Sequence, residues 1–522
     1  MEKKYVVGVD CGTTSSKTVI FDFEGNVMGT GQILNPLTYP STGRVECDGP
    51  AMIETLYGTT RKAIQNSGIN PEEIAAVSFT MFRGTQVCRD ENGGFTTPII
   101  IWQDLRSAEM LPYMEECLRK NGMTPDDHYD MCGMPLATIN PSGKLLWVQK
   151  HLPEAYAKTK VVHTMMGLLT KAYGADDYFD DITDTPWLQM NGEDLQYSEK
   201  LTKIFGVDKN LFAKLRKPGE VIGHITPEIS EKTGLAVGTP LIMGTGDQQS
   251  GCLGMGCTDE GIGYACGGTA GITAGKSRKF LRDPARKCYI LGTPDGAFVM
   301  EAQSNSAGSA FKWFKNTICH SEDISAKYCN MDTYDVLTYA AKGSKPGSNG
   351  VFFLPYCQSA HTPNYDANAR GTYVGMTLGT SRQDLIRATM EGICFDIKDL
   401  LEAMIAANVP NFSTVRITGG IARSEVWNQI QADVYNRPVE TVAQEEATAL
   451  GCAMVAAVGA GIYSDYEEAA KHMVRVTRRY EPNPKNIELY QDAYETWKSI
   501  FRGLHASGYE QVAAFQDKYR DF

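Results

Sequence analysis

The sequence predicts an α/β protein built from two similar halves that face a cleft, and three observations predict it. At 522 residues the chain is too long for one core, so two domains are expected. Each half opens alike, with an apolar run, a Gly/Thr turn and a returning run, first over residues 5–23 and again over 261–275. Between them lies Leu241-Ile242-Met243-Gly244-Thr245-Gly246-Asp247, a strand that ends in a tight turn and a carboxylate, with a helix expected from Asp247. Open α/β sheets bind ligands at such strand ends.

The elements follow in order. Tyr5 to Asp10 is a buried strand, residues 11–14 turn it, and Ser15 to Phe23 returns, followed by a third strand from Val27. The tip lacks a Walker loop and a G-x-G-x-x-G loop, yet a hairpin rich in glycine and hydroxyls can aim successive amides at phosphate oxygens. Pro50 to Ser67 is a helix and Ile74 to Phe79 a strand. The segments after Ile74–Phe79 and Ile99–Ile101 carry Arg83, Trp102, Asp104 and Arg106, which would cluster if those strands are neighbours. Such a set reads equally as an ion pair beside an aromatic or as a polyol site, with a flat Trp for carbon and charges for hydroxyls. A helix opens near Lys144, and the acids from Asp176 to Asp184 are expected on a solvated surface, their spacing being wrong for an EF-hand.

In the second half, Gly261 to Cys266 is a strand, Gly267-Gly268-Thr269 a turn and Ala270 to Gly275 the return. Asn305 to Gly308 leads into a helix with Phe311, Trp313 and Phe314. Ser381 caps a helix to about Asn408, with Ile386, Met390, Ile393, Ile397, Leu401 and Met404 on one stripe. Val415 to Thr418 is a strand ending in Gly419-Gly420, and Ser424 caps the next helix, a platform for a flat base or a phosphate. The small residues of 446–453 suit close helix packing under that platform, and the last ~45 residues read as peripheral helix.

The formal net charge of −12 argues against nucleic acid or an anionic membrane as partner, and leaves room for a nucleotide. Residues 2–5 run straight into a strand with no signal core, and the longest small-apolar run, Ala447 to Tyr463, is interrupted by glycines and is too short to span. A soluble, cytoplasmic protein is expected. Fourteen cysteines without a C-x-x-C pair read as reduced thiols in the core. Asp247, placed between two phosphate-type turns at Asp10–Thr14 and Gly267–Thr269, points to a base for phosphoryl transfer.

These pieces, in this order, resemble the FGGY family of carbohydrate kinases over nearly the whole chain. The most specific match is Gly371-Thr-Tyr-Val-Gly375-Met376, seven residues, then Asp384 to Glu391. The N-terminal signature is partly met: Pro141, Lys144 and Trp147 fit, and Ile139 departs from it. The resemblance implies two actin-like (ribonuclease H-like) domains around a central cleft, with ATP and magnesium as donor and cofactor and a small sugar or polyol as acceptor. By it, residues 1–246 form the sugar-side domain, 247–475 the nucleotide-side domain and 476–522 a terminal helical segment. It makes Asp247 the catalytic base and Asp10, with Asp247, the magnesium-associated acids. Gly12, Thr13, Thr14, Ser15 and Lys17 match the first phosphate loop, and Gly268 and Thr269 the second. Gly308, Gly419, Gly420 and Ser424 match nucleotide contacts, and Arg83, Gly84, Trp102, Asp104, Asp247 and Gln248 line the acceptor side.

The substrate signals are mixed. Phe82-Arg83-Gly84-Thr85 and Asp247-Gln248-Gln249 resemble glycerol kinase, but Gly84 stands where that enzyme has Glu. Leu354-Pro355-Tyr356 and His361-Thr362-Pro363 resemble xylulokinase, while 251–254 and 446–452 resemble autoinducer kinase. Space left by Gly84 favours an acceptor larger than glycerol, such as the ketopentose xylulose, with autoinducer, glycerol and other polyols as alternatives. Two other classes compete: an actin-like ATPase that drives partners, and a catalytically dead sugar-binding regulator. Intact Asp10 and Asp247 count against the latter. A homodimer is left open.

Overall fold

The computed structural model describes residues 2–184 and 190–520. Its two main sheets share one plan. The first has six strands in the spatial order Val221–His224, Pro240–Gly246, Ile74–Met81, Tyr5–Cys11, Ser15–Asp22, Val27–Leu34. The second has seven: Tyr289–Gly292, Phe298–Ser304, Gly271–Ser277, Ile262–Gly267, Thr414–Thr418, Val439–Val442 and Val476–Tyr480. In both, an opening strand pairs antiparallel with its hairpin partner on one side and parallel with a later strand on the other. The duplication expected from the two Gly/Thr hairpins is therefore present in the strand order.

Both faces of the first sheet are covered, which explains its unbroken apolar strands. Val7, Val9, Val77, Phe79, Leu241 and Met243 pack under the helix Gly49–Ser67 side. Val6, Val19, Ala76 and Ile242 face the helix Ala447–Gly459. This corrects the placement of the 446–453 segment, which lies against the first sheet and the helix Asp247–Gly254 rather than under the Gly419-Gly420 turn. The contact is backbone on backbone. A Cβ at Gly8 would meet Ala449 O at 2.4 Å, and Cβ atoms at Gly254 and Gly451 would meet Ala447 O and Ser250 O, each at 1.8 Å.

The helix Arg382–Ala406 begins with a reciprocal Ser381–Asp384 cap and buries its predicted stripe in the second core. The terminal helix Ile487–Gly503 is docked rather than peripheral: Tyr490, Trp497 and Phe501 enter that core, and Trp497 Nε1 donates to Phe353 O at 2.9 Å. The strand Val476–Tyr480 pairs with Val439–Val442 in the second sheet. Among the described residues no helix is long and apolar enough to cross a membrane. All fourteen cysteines are free.

Candidate active site

Asp247 stands where the strand Pro240–Gly246 turns into the helix Asp247–Gly254. Its Oδ1 accepts from Gln248 N at 2.8 Å and from Arg83 Nε at 3.3 Å, and about a quarter of the side chain (27%) is exposed. Burial raises its pKa, and Arg83 opposes the rise. The result is a carboxylate more basic than an ordinary Asp and still paired with a cation, a fit for general-base work. Gln248 sits half-buried beside it.

Arg83 leaves the end of the strand Ile74–Met81 and reaches across the cleft. Its Nη2 donates to both oxygens of Glu301, at 2.8 and 2.9 Å, and Glu301 is 1% exposed on the second sheet. Burial works against the Arg83 charge, but Glu301, Asp247 and Asp184 hold it protonated. Glu301 itself is raised by burial, with Arg83 opposing. Two residues further along the same strand face, Gln303 Nε2 lies 3.3 Å from His361 Nε2. The His361-Thr362-Pro363 segment thus joins the strand that holds Arg83.

Asp10 stands one residue before the end of the first strand, opposite Lys17 in the hairpin ladder. Its Oδ1 is buried without a hydrogen-bond partner, and burial, then the charge of Asp247, pushes its pKa up to about 7. An orphaned oxygen and a second acid in electrostatic reach fit a divalent cation, which would relieve both costs. Among the described residues no group of three or more His, Cys, Asp or Glu side chains is placed to hold a metal ion. Lys17 is held by both oxygens of Glu446 at 2.7 Å. The tip at Gly12, Thr13 and Thr14 is fixed by Asn35, whose Nδ2 donates to Gly12 O at 2.6 Å and Thr13 O at 3.1 Å, and whose N donates to Thr14 O at 3.0 Å. Ser15 starts the return strand.

The opposite wall is made of glycine turns. Gly308 N donates to Gly268 O at 2.8 Å, and a Cβ at Gly308 would lie 2.4 Å from that oxygen. Ser309 N donates to Thr269 O at 3.1 Å. Gly419 has φ 84°, a conformation that favours glycine, and a Cβ there would sit 2.7 Å from Gly267 O. Ser424 caps the helix Glu425–Tyr435. These turns frame a cavity of about 680 Å³ lined by Gly268, Thr269, Gly308, Gly420 and Ser424 together with Trp313, Tyr334 and Trp427. That volume and mixed lining suit a nucleoside.

Although Ile74–Met81 pairs in the main sheet and Ile99–Ile100 in a small separate one, the structure brings Trp102 against the Gly84 turn beside Arg83 and divides Asp104 and Arg106 from them. Trp102 Nε1 donates to Thr13 Oγ1 at 2.9 Å, tying the aromatic to the first hairpin tip. Asp104 turns away into a closed network: it is 0% exposed and accepts from Arg106 and from Val45 N at 2.7 Å. Burial would raise its pKa, but these donors carry it down. Arg106 continues to Glu46 at 2.6 Å and over the Trp147 ring. Gly84 is not a space. Its φ is 71°, and a Cβ would meet Ile139 O and Trp102 Cβ, both at 3.0 Å. The room inferred from a missing side chain is filled by neighbours, so that argument for a larger acceptor falls.

The acidic stretch is likewise corrected. Asp180, Asp181 and Asp184 are 2%, 2% and 3% exposed, not solvated. Asp180 accepts from Thr164 and Gly167, and Asp181 from Thr183. Asp184, raised by burial, has no hydrogen-bond partner on either oxygen among the described residues. Sequence reasoning also missed Glu301, Asn35 and the role of Lys144, whose buried Nζ donates to Gly84 O at 2.6 Å. Glu301 had a signal: a lone acid inside the apolar run Phe298-Val-Met-Glu301-Ala demands a buried cation.

Two duplicated sheets, a nucleotide-sized cavity walled by glycine turns, and an acid pair across from it define a phosphotransferase of the actin-like kind. Comparison with known proteins gives the family. The family model of the N-terminal domain of FGGY carbohydrate kinases matches residues 5–254, and that of the C-terminal domain matches 264–460. The chain belongs to the FGGY family of carbohydrate kinases and is an ATP-dependent sugar kinase. It is 26% identical to a gluconokinase of Bacillus subtilis, over 98% of both chains. It is 28% identical to an autoinducer-2 kinase of Escherichia coli, over 96% of this chain and 94% of the relative. A xylulose kinase structure from Lactobacillus acidophilus superposes with a TM-score of 0.87 at 23% identity, covering 98% of this chain and 100% of the other.

Proposed function

We propose that this kinase phosphorylates a terminal hydroxyl of a small ketose or polyol, a ketopentose such as xylulose, with Asp247 as the general base. The observation that carries the reading is the Asp247 carboxylate, basic through burial, held by Arg83 and within electrostatic reach of Asp10, whose Oδ1 has no hydrogen-bond partner among the described residues. Asp247 takes the hydroxyl proton as the hydroxyl oxygen bonds to the γ-phosphorus and the bond to ADP breaks. Gly12 to Ser15, Lys17, Gly268 and Thr269 orient the phosphates, and Gly308, Gly419, Gly420 and Ser424 seat the nucleoside. Asp10 and Asp247 would hold magnesium, which when bound neutralises phosphate charge. Trp102, fixed on Thr13, offers a flat face to the carbon chain, and Gln248 lies beside the base.

With Gly84 crowded, the choice of a ketopentose rests on the xylulokinase-like residues 354–356 and 361–363 and on the tie between His361 and the Glu301 strand. An ADP-release assay across xylulose, ribulose, glycerol, gluconate and the autoinducer dione tests it. The expected result is a kcat/KM for a ketopentose at least about tenfold above glycerol, the scale set by one polar contact. A panel won by glycerol or by the dione overturns the choice.

A further inference from the structure

The relatives act on acceptors of different charge, a sugar acid among them, and sequence identity does not separate them. The charge balance around Asp247 offers a physical criterion for this chain. Arg83 is the basic side chain that reaches Asp247, and it is already committed. Its Nη2 lies between both oxygens of Glu301, and the two side chains are 8% and 1% exposed. Glu301 comes from the second sheet, so the pair closes across the domains beside the base. One guanidinium thus faces two carboxylates, and Asp184, buried close behind, brings no cation to offset them.

We infer that Glu301 is the residue that sets the acceptor class: by engaging Arg83 it makes the site select uncharged ketoses and polyols and reject sugar acids. An incoming carboxylate wants a guanidinium fork, and here Glu301 holds its Nη2 while Asp247 takes its Nε. The intruder would meet Asp247 and Glu301 as like charges in a site shielded from water, where repulsion is screened least. A hydroxyl carries no charge and can donate to a carboxylate oxygen, which suits this wall. This inference rests on the reading of Asp247 as base and Arg83 as an acceptor-side group. Glu301 itself is a specificity-determining residue, acting through Arg83.

The test uses the full-length protein and acceptors matched in carbon number: xylitol and xylulose against xylonate, and glucitol against gluconate. ADP release is followed at saturating magnesium-ATP. Wild type is expected to favour the best uncharged acceptor by at least about tenfold in kcat/KM over any sugar acid. Glu301→Gln keeps the shape and removes the charge that engages the guanidinium. It is expected to narrow that ratio at least about tenfold, through a rise for the acids, with the KM for ATP unchanged. Glu301→Asp, which keeps the charge, is expected to restore the preference. A merely structural role would lower both classes alike, and an unchanged ratio in Glu301→Gln overturns the inference. Should Glu301→Gln fail to fold in a thermal melt, the wild-type pairs decide: gluconate or xylonate matching its uncharged partner overturns it. If no acceptor of either class is phosphorylated, the functional reading itself falls.

Discussion

The two walls of the cleft are built from different materials. The proposed nucleotide wall is backbone: Gly308 and Gly419 approach the chain at Gly267 and Gly268 so closely that a Cβ on either would collide with it. The acceptor wall is side chains drawn from distant elements: Arg83 and Glu301 are 218 residues apart, and Trp102 and Thr13 are 89 apart. A wall of glycine turns announces itself locally. A wall of long-range pairs is written nowhere in one stretch, and it is the wall proposed to choose the substrate.

Three outcomes break or sharpen this contrast. The first asks how far the acceptor wall extends. Asp104 sits in a closed ion pair with Arg106, and breaking a buried pair costs about 3 kcal/mol. Asp104→Asn is therefore expected to lower the denaturation midpoint and leave the acceptor KM within about twofold, because an added structural cost is not a binding contact. A tenfold rise in acceptor KM at unchanged stability would put Asp104 in direct contact with the sugar.

The second contrasts satisfied acids with those in the cleft. Asp384 accepts from Ser344, Ser381 and Asn349, which outweigh burial and lower its pKa to about 2 from 3.8. A depressed folded value means stability that is fully present above pH ~4 and is lost as pH falls toward ~2, worth about 2 kcal/mol. Asp384→Asn is expected to remove that much at neutral pH and to flatten the acid limb between those values. An acid limb identical to wild type in chemical denaturation contradicts it.

The third strikes the backbone wall. Gly308→Ala pushes a methyl against Gly268 O, and overpacking of this kind costs about 1–3 kcal/mol. The KM for ATP is expected to rise about tenfold while the acceptor KM holds. Equal effects on both substrates would mean that the two walls are one unit.

Much of the fold could be read because its signals are local. The Ser381 cap and the stripe from Ile386 to Met404 predicted a helix that the structure gives as Arg382–Ala406. The paired hairpins predicted the duplicated sheets. The failures share one cause, which is burial of polar or small groups by partners outside their own stretch of sequence. The acids at 180–184 read as surface until Thr164 and Gly167 are seen to satisfy Asp180. Gly84 read as vacant until Ile139 and Trp102 close on it. Glycine in a sequence shows a missing side chain, but only the fold shows whether a neighbour has taken its place.

The central claim is that Asp247 takes the proton from the acceptor. Asp247→Asn keeps the shape and cannot accept a proton. With a ketopentose and magnesium-ATP, single-turnover measurement of Asp247→Asn beside wild type, with calorimetry of nucleotide binding on the same samples, tests it directly. The account predicts a fall in the rate of phosphoryl transfer of about 10² to 10⁴ with nucleotide affinity largely kept. A rate within about threefold of wild type would remove Asp247 from the chemistry.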